Sequence, residues 1–311
     1  MRSLRYIFAL VVAGAMLSAA TFANATVMTA GKGDPLRLRW RTPVVKLAVS
    51  TSLLRPGTNI KTDSDVTGAL SRSIAAWNSV ADIELTLVES DKQSISPSGP
   101  AGDGVNLLTI AQTPENVLLF SKDPDAESAR TRVFYNRLGT ITEADIVLNP
   151  LQQFSTDGTF GTFDLEATLI HEIGHLLGLR HSPVMGSAMN ESLARNGILT
   201  PIGGSRGLYT SDIAAIRQIY GAATAENCCA AITGKLTIDG ARPAKGIRVW
   251  AEENGTGRVI AAADASADGS YTLGGLVEGD YALLWQPQGE AGSQIGQLGM
   301  ARQRALIDRR I

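Results

Sequence analysis

The chain has 311 residues, a length that predicts about two domains. Hydrophobic residues make up 44% of it, enough for a sizeable core, which excludes intrinsic disorder and collagen-like repeats. The 28 basic residues nearly balance the 30 acidic ones, and a net charge of −2 argues against a nucleic-acid partner held by phosphate contacts.

The N-terminus has the pattern of an export signal. Arg2 and Arg5 precede an apolar run over residues 6–17, and an Ala-Asn-Ala cleavage site follows at residues 23–25. We therefore predict a signal peptide over residues 1–25 and a secreted or periplasmic protein. A stable membrane anchor is the alternative, but the apolar run is short for a span of ~20 residues.

The next part of the chain alternates strand and helix patterns. In chain order the predicted elements are strand 44–50, helix 63–80, strand 83–88, strands 106–111, 117–120, 132–137 and 144–148, helix 165–177 and helix 211–220. Asp63 or Ser64 is the expected N-cap of the first helix, and Gly221 ends the last one. A loop rich in Ser, Pro and Gly is predicted over residues 93–104.

The helical pattern is lost after Gly221. We predict a linker over residues 222–231, a small all-β sandwich over residues 232–287 and a tail over residues 288–311. Short apolar runs indicate the sandwich. They are separated by dipeptides that are typical of turns, such as those at 239–240 and 268–269.

The chain has two cysteines, Cys228 and Cys229, too few for a disulfide scaffold. A ring closed between neighbours departs from ordinary disulfide geometry. Pairing with another chain, remaining reduced and binding nothing all stay open, so neither cysteine is assigned a role.

The segment from His171 to His181 carries the strongest functional signal. His171 and His175 are four residues apart on a predicted helix, so they share one face and can bind one metal ion. Gly178 can adopt a positive φ and end the helix, which lets His181 return as a third ligand. Three protein ligands leave one position for water, as in catalytic zinc sites. All three histidines of the chain fall at these positions, which chance does not explain.

Glu172 is the predicted general base. It neighbours a ligand without being expected to bind the metal, and it can accept the proton of the water on zinc and pass it to the leaving amine. The sequence therefore predicts a zinc metalloendopeptidase with one catalytic Zn²⁺, acting on protein or peptide substrates.

The extended histidine motif resembles that of the metzincins, and its surroundings resemble the matrixin branch, peptidase family M10. The resemblance spans roughly residues 36–221 and is carried by Ser182, residues 163–166, the strand at 143–149 and the closing helix at 208–221. It implies a metzincin catalytic domain, a twisted mixed β-sheet with three helices. With the predicted sandwich, the chain is then of the α+β class.

The resemblance also implies several features of the site. Met189 would be the methionine of the Met-turn, a hydrophobic floor beneath the ligands, since Met185 fits the family spacing less well. A substrate would lie extended against an edge strand, and residues 190–209 would form the pocket wall. No cysteine lies in residues 26–40, so latency through a propeptide cysteine is not expected, and the histidines for a second, structural zinc are lacking.

Calcium is retained as a second candidate ion, and no further cofactor-binding residue is predicted. Four loop carboxylates are either calcium ligands or solvated acids: Asp103, Asp123, Asp125 and Asp157.

The predicted sandwich resembles carboxypeptidase-regulatory-like and collagen-binding-B modules through residues 232–236, 244–249 and 268–276. Such a module is a spacer, a surface-attachment domain or a substrate-recruiting domain. It leaves an alternative function open, an extracellular adhesive or binding protein with a non-catalytic protease-like scaffold, although the intact Glu172 counts against it. A third reading is a hydrolase that acts only on its own chain or on one dedicated partner. The oligomeric state and the natural substrate are not encoded in any pattern that we find.

Overall fold

The computed structural model describes residues 37–55, 57–96, 102–122, 127–191, 195–197, 206–224, 228–238, 240–287 and 309–310, the last two by their backbone. The predicted signal peptide and most of the predicted tail lie outside the described residues. In the part that is described, no helix is long and apolar enough to cross a membrane.

The first part of the chain is built, over its described residues, on a mixed sheet of five strands. These are β1 (Val44–Ser50), β2 (Glu84–Ser90), β3 (Leu107–Thr109), β4 (Ala129–Tyr135) and β5 (Ile141–Leu148). Their spatial order is β2-β1-β3-β5-β4, so β4 forms one edge of the sheet. Strand β4 is also the one strand of the five that is antiparallel to its neighbour. Two short parallel strands, β6 (Phe154–Ser155) and β7 (Phe163–Asp164), precede the helix that begins at Leu165. The mixed sheet that the sequence predicts is confirmed.

Three long helices and two short ones occur within the described ranges. They are α1 (Thr51–Leu54), α2 (Val66–Asn78), α3 (Pro114–Leu118), α4 (Leu165–Leu176) and α5 (Thr210–Tyr220). The long ones, α2, α4 and α5, are the helices that the sequence predicts. Helix α4 is fixed by two indoles: Trp77 donates to the carbonyl of Ile170 at 3.0 Å, and Trp40 donates to that of Leu176 at 2.9 Å.

The strand predicted at residues 117–120 is wrong, because residues 117 and 118 are the end of helix α3 and residues 119 and 120 form the turn that follows it. Pro114 stands in the first turn, and the side chain of Thr113, the N-cap, accepts a hydrogen bond from the backbone N–H of Asn116 at 3.3 Å. This capping chemistry specifies a helix start that a short apolar run cannot override.

The predicted N-cap of helix α2 is also wrong. Asp65 caps the helix, since its carboxylate accepts a hydrogen bond from the backbone N–H of Gly68 at 2.9 Å. Asp63 instead lies in the preceding turn with a φ of 69°, and Ser64 follows it in that turn. The N-cap of helix α2 therefore lies one or two residues later in the chain than predicted.

Residues 228–287 form a second unit, named here the C-terminal β-unit. Its strands are β8 (Cys228–Lys235), β9 (Thr237–Ile238), β10 (Arg242–Pro243), β11 (Ile247–Glu253), β12 (Val259–Asp264), β13 (Ser270–Val277) and β14 (Asp280–Pro287), joined by β15 (Arg309–Arg310) from the predicted tail. One sheet has the order β12-β11-β14-β15, β13 pairs with β8, and an apolar core lies between the two. Because β8 begins at Cys228, residues 228–231 belong to this unit and not to the predicted linker.

Cys228 and Cys229 form a disulfide with each other, a pairing that the spacing of the two residues did not favour. Cys229 has a φ of 103°, where β8 and β13 shift register. A left-handed residue inside an extended strand interrupts the alternation of side chains, so two adjacent side chains can meet.

Helix α5 packs against the C-terminal β-unit at β12 and β13. One close approach is at Gly275, which has a φ of 72° in the bulged part of β13. A Cβ atom on Gly275 would lie 1.8 Å from the carbonyl oxygen of Ala214 in α5, so this contact requires glycine.

The substitution Gly275→Ala is expected to lower the free energy of unfolding by about 3 kcal/mol or more, because a left-handed φ penalty of about 1–2 kcal/mol adds to a backbone clash. Gly257→Ala is the matched control, since Gly257 has a φ of 68° and a Cβ atom there would meet no other atom within 4 Å. The control is expected to lose about 1–2 kcal/mol. Urea unfolding measures both, and equal losses would contradict the close packing of β13 on α5.

Candidate functional site

Helix α4 carries the histidine motif and is anchored at its N-terminus. Asp164 is the N-cap and accepts a hydrogen bond from the backbone N–H of Ala167 at 3.0 Å. Glu166 in the first turn is nearly buried and pairs with Arg72 of α2 at 2.9 Å. An acid in the first turn also suits the helix dipole, so this end of α4 is held both locally and by a neighbouring helix.

The C-terminal end of α4 is a Schellman turn built on Gly178. The N–H of Leu179 donates to the carbonyl of Gly174 at 2.9 Å, and the N–H of Gly178 donates to that of His175 at 2.9 Å. Gly178 has a φ of 97°, and a Cβ there would lie 2.5 Å from the carbonyl oxygen of Leu38. The helix thus ends where the sequence predicts, and the chain turns back toward the motif.

The three predicted ligands meet at one point. The ring nitrogens of His171, His175 and His181 that face one another all lie within 4.8 Å, and the Nε2 atoms of His171 and His175 are 3.1 Å apart. A tetrahedral ion with bonds of about 2.0 Å to nitrogen places its ligand atoms about 3.3 Å apart. Among the described residues this is the one group of three or more His, Cys, Asp or Glu side chains close enough to hold a metal ion.

Backbone carbonyls determine which nitrogen of each ring carries the proton. Nδ1 of His171 donates to the carbonyl of Ala188 at 2.8 Å, and Nδ1 of His175 donates to that of Leu179 at 2.8 Å. A carbonyl oxygen can only accept, so each Nδ1 is protonated and each Nε2 of a neutral ring keeps a lone pair. Two lone pairs therefore face each other at 3.1 Å, an arrangement that a cation stabilises.

The surroundings keep these imidazoles neutral. Burial, with a smaller effect of His181, lowers the pKa of His171 to about 4. Burial also lowers the pKa of His175 well below its ordinary value and lowers that of His181. Neutral imidazole is the form that binds metal ions, so the site is ready for a cation at neutral pH.

Met189 lies directly beneath the motif helix. It is fully buried, and a Cβ on Gly174 would lie 2.2 Å from its sulfur atom, so the glycine between two of the ligands makes room for it. Met185, the competing candidate, is 37% exposed. Met189, and not Met185, is therefore the methionine that is buried against this helix, and its role as the floor of the site stays a prediction.

Asp212 fixes the turn that contains Met189, a role that the sequence did not predict. Its buried carboxylate accepts hydrogen bonds from the backbone N–H groups of Ala188 at 2.8 Å and Tyr209 at 2.9 Å, and from the hydroxyl of Ser187. Ala188 in turn accepts the hydrogen bond of His171. An acidic residue in the first turn of a predicted helix was the available signal for this role.

Glu172 is buried beside the histidines. Thr131 binds it, and this role, like that of Asp212, was not predicted from the sequence. The hydroxyl of Thr131, in edge strand β4, donates to Oε2 of Glu172 at 2.5 Å. Burial raises the pKa of Glu172 to about 7, against the opposing effect of this hydrogen bond. A carboxyl group with a pKa near neutrality can both accept and release a proton at physiological pH.

The histidines and Glu172 open into a cleft of about 350 Å³. Residues 127–131, which lead into and begin β4, form one wall, and Glu191 lies at the rim. Arg130 donates to the carboxylate of Glu127 at 2.9 Å on this wall. The cleft thus runs alongside the free edge of the main sheet.

The candidate calcium ligands do not converge in the part of the chain that the structure describes. Asp157 pairs with Lys61, and Asp103 pairs with Lys92. Asp123 and Asp125 lie outside the described residues. Calcium binding therefore stays a prediction.

Comparison with known families points to the same segment. A family model of the matrixins matches residues 125–221, which include β4, β5, α4, α5 and all three histidines. The match spans less than a third of the chain and supports a metzincin-like domain. No curated protein matches the chain.

The raised pKa of Glu172 gives a prediction for the metal-free protein. The folded chain binds more protons than the unfolded chain between the ordinary pKa of 4.5 and about 7, so this group's contribution to stability is lost as pH rises through that range. Glutamine does not titrate, so Glu172→Gln does not lose this stability as pH rises. The free energy of unfolding of the variant minus that of wild type is expected to increase by about 2–3 kcal/mol from pH 5 to pH 8. Urea unfolding in the presence of a chelator measures the difference. A difference that does not change with pH would contradict the burial of this carboxylate.

Proposed function

We propose that the chain is an exported zinc-dependent endopeptidase in which His171, His175 and His181 hold one zinc ion and Glu172 is the general base. The observation that carries the proposal is the pair of Nε2 lone pairs that face each other at 3.1 Å, because their rings are oriented by backbone carbonyls. The matrixin match over residues 125–221 supports zinc as the ion and a protease as the class of enzyme. Export rests on the signal pattern of residues 1–25.

His171, His175 and His181 would hold the zinc ion, which would supply a Lewis acid to the attacking water and to the scissile carbonyl group. Glu172 takes a proton from the attacking water and delivers it to the nitrogen of the departing amine. The C–N bond breaks, the water oxygen remains on the new carboxyl group and the amine leaves protonated. Thr131 engages Oε2 of Glu172, so we assign the proton transfer to the other carboxylate oxygen.

The substrate of this reaction would be a protein or peptide in an extended conformation. Strand β4 is an edge of the sheet and its first residues line the cleft, so a peptide can add beside it through main-chain hydrogen bonds. This mode of binding selects for extended backbone and leaves side-chain preference to the pocket. Digestion of a proteome-derived peptide library would report that preference.

The direct test uses the mature chain, residues 26–311, made in zinc-replete medium. Wild type is expected to hold one zinc ion and to cleave casein or gelatin. Glu172→Ala is expected to keep the zinc ion and to lose about 10²–10⁴-fold in kcat/KM, the usual contribution of a general acid–base group. His181→Ala is expected to lose the ion as well, because it removes a ligand. Elemental analysis and proteolysis assays measure these quantities.

Two outcomes would contradict the proposal in different ways. Zinc binding without cleavage of any peptide would favour the alternative of a non-catalytic scaffold in a binding protein. Cleavage that Glu172→Ala leaves unchanged would remove the proposed mechanism and keep the protease.

Thr131 provides a finer prediction for the same assay. Thr131→Val keeps the shape of the side chain and removes its hydrogen bond to Glu172, so kcat is expected to fall about tenfold with little change in KM. Thr131→Ser retains the hydroxyl group and is expected to remain near wild type. If valine and serine gave equal rates, the hydroxyl would have no role in positioning the carboxylate.

A further inference from the structure

The segment between His181 and Met189 is an irregular turn, although it connects a predicted zinc ligand to the floor of the site. Its ends are tied together by the hydrogen bond from the N–H of Ser182 to the carbonyl of Met189 at 2.7 Å. Between these ends the segment has neither helix nor strand, and its backbone hydrogen bonds within the described residues include that from Ser187 to Val184 at 3.2 Å. A turn of this kind depends on side-chain packing to hold its position.

Val184 is one of the side chains that hold this turn, and it packs against the C-terminal β-unit. It is 1% exposed, whereas the neighbouring Met185 is 37% exposed. Val184 belongs to a small apolar cluster whose other buried members all come from the C-terminal β-unit: Trp250, Val259, Ala262 and Leu284. The turn that carries the third ligand is therefore seated on the second unit of the chain.

Val184 packs against side chains of three neighbouring strands in one sheet. Trp250 in β11 is directly opposite Ala262 in β12 and Leu284 in β14, so the three side chains share one face. The indole of Trp250 is fixed by a hydrogen bond to Oε1 of the buried Glu252 at 2.9 Å. A paired sheet with a fixed aromatic ring makes a firm support.

The same unit is attached to helix α5, which holds the other side of the turn. The hydroxyl of Thr210 donates to the carbonyl of Val259 at 2.8 Å, and Gly275 lies against Ala214. Two residues beyond Thr210, Asp212 binds the backbone of Ala188. The C-terminal β-unit thus supports the turn twice, through Val184 and through α5.

We propose that the C-terminal β-unit is a structural part of the metal site, in which Trp250 and Leu284 act as positioning residues that hold His181 through Val184. This inference rests on the proposed function, because it takes His181 to be a ligand. It assigns the unit a role other than spacer, surface attachment or recruitment of substrate. Residues around a metal ligand that fix its position typically change metal affinity about 10–100-fold when they are altered.

Two adjacent leucines in β14 offer a matched test in the full mature chain. Leu284 is in the cluster that contacts Val184, whereas Leu283 is in the core inside the C-terminal β-unit, and both are buried. Leu284→Ala and Leu283→Ala remove the same atoms, so both variants are expected to lower the Tm. Val184→Ala removes atoms from the other side of the same contact. It replaces Leu284→Ala as the test variant if Leu284→Ala does not fold.

Two readouts separate the variants. Hydrogen exchange of the metal-free protein is expected to show faster exchange at the amides from Ser182 to Met189 in Leu284→Ala and Val184→Ala, but not in Leu283→Ala. Release of zinc to a chelator is expected to be about tenfold faster in the same two variants. Equal effects of Leu283→Ala and Leu284→Ala, or no effect of either, would overturn the inference. A wild-type chain that holds no zinc would overturn the proposed function instead.

Discussion

Two imidazole lone pairs held 3.1 Å apart are the physical constraint on which the site depends. In a metal-free chain this arrangement is unfavourable, and the fold maintains it by binding both Nδ1 atoms with carbonyl groups. Those carbonyls belong to Leu179, placed by the Schellman turn, and to Ala188, placed by Asp212. A bound cation would convert the repulsion into coordination, so metal binding is expected to stabilise the folded chain as well as to equip it for catalysis.

Local chemistry explains what the sequence could predict. The spacing of His171 and His175 and the position of Gly178 specify a helix face and its end within a few residues, and the structure brings His181 back to them. Local chemistry also explains the wrong strand at residues 117–120. Thr113 as the N-cap and Pro114 at the first helical position start a helix that ends at Leu118. Thr131 was missed because its role comes from sheet register, which no local pattern records, and the place of Asp212 in a predicted helix did not indicate which distant turn it binds.

The division of the chain into units illustrates the same limit. Composition predicts a change of structure after Gly221, and strands do follow it from Cys228 onward. Composition does not predict that the second unit packs on α5 through Gly275 and on the turn at Val184. A bulge with a glycine against a helix carbonyl is a contact between distant segments, so it becomes visible when the fold is known. The two units share an apolar contact at Val184 and pack together at helix α5, so they are not independent modules.

In the proposed site, three imidazoles converge on one zinc ion and leave a position for solvent. X-ray absorption at the zinc edge of the mature protein tests this arrangement most directly, since it counts and identifies the coordinating atoms. Three histidine nitrogens and one further light atom are expected at about 2.0 Å from the zinc ion, and His181→Ala is expected to lose the zinc signal. A spectrum with fewer imidazole ligands, or one that His181→Ala leaves unchanged, would contradict the account.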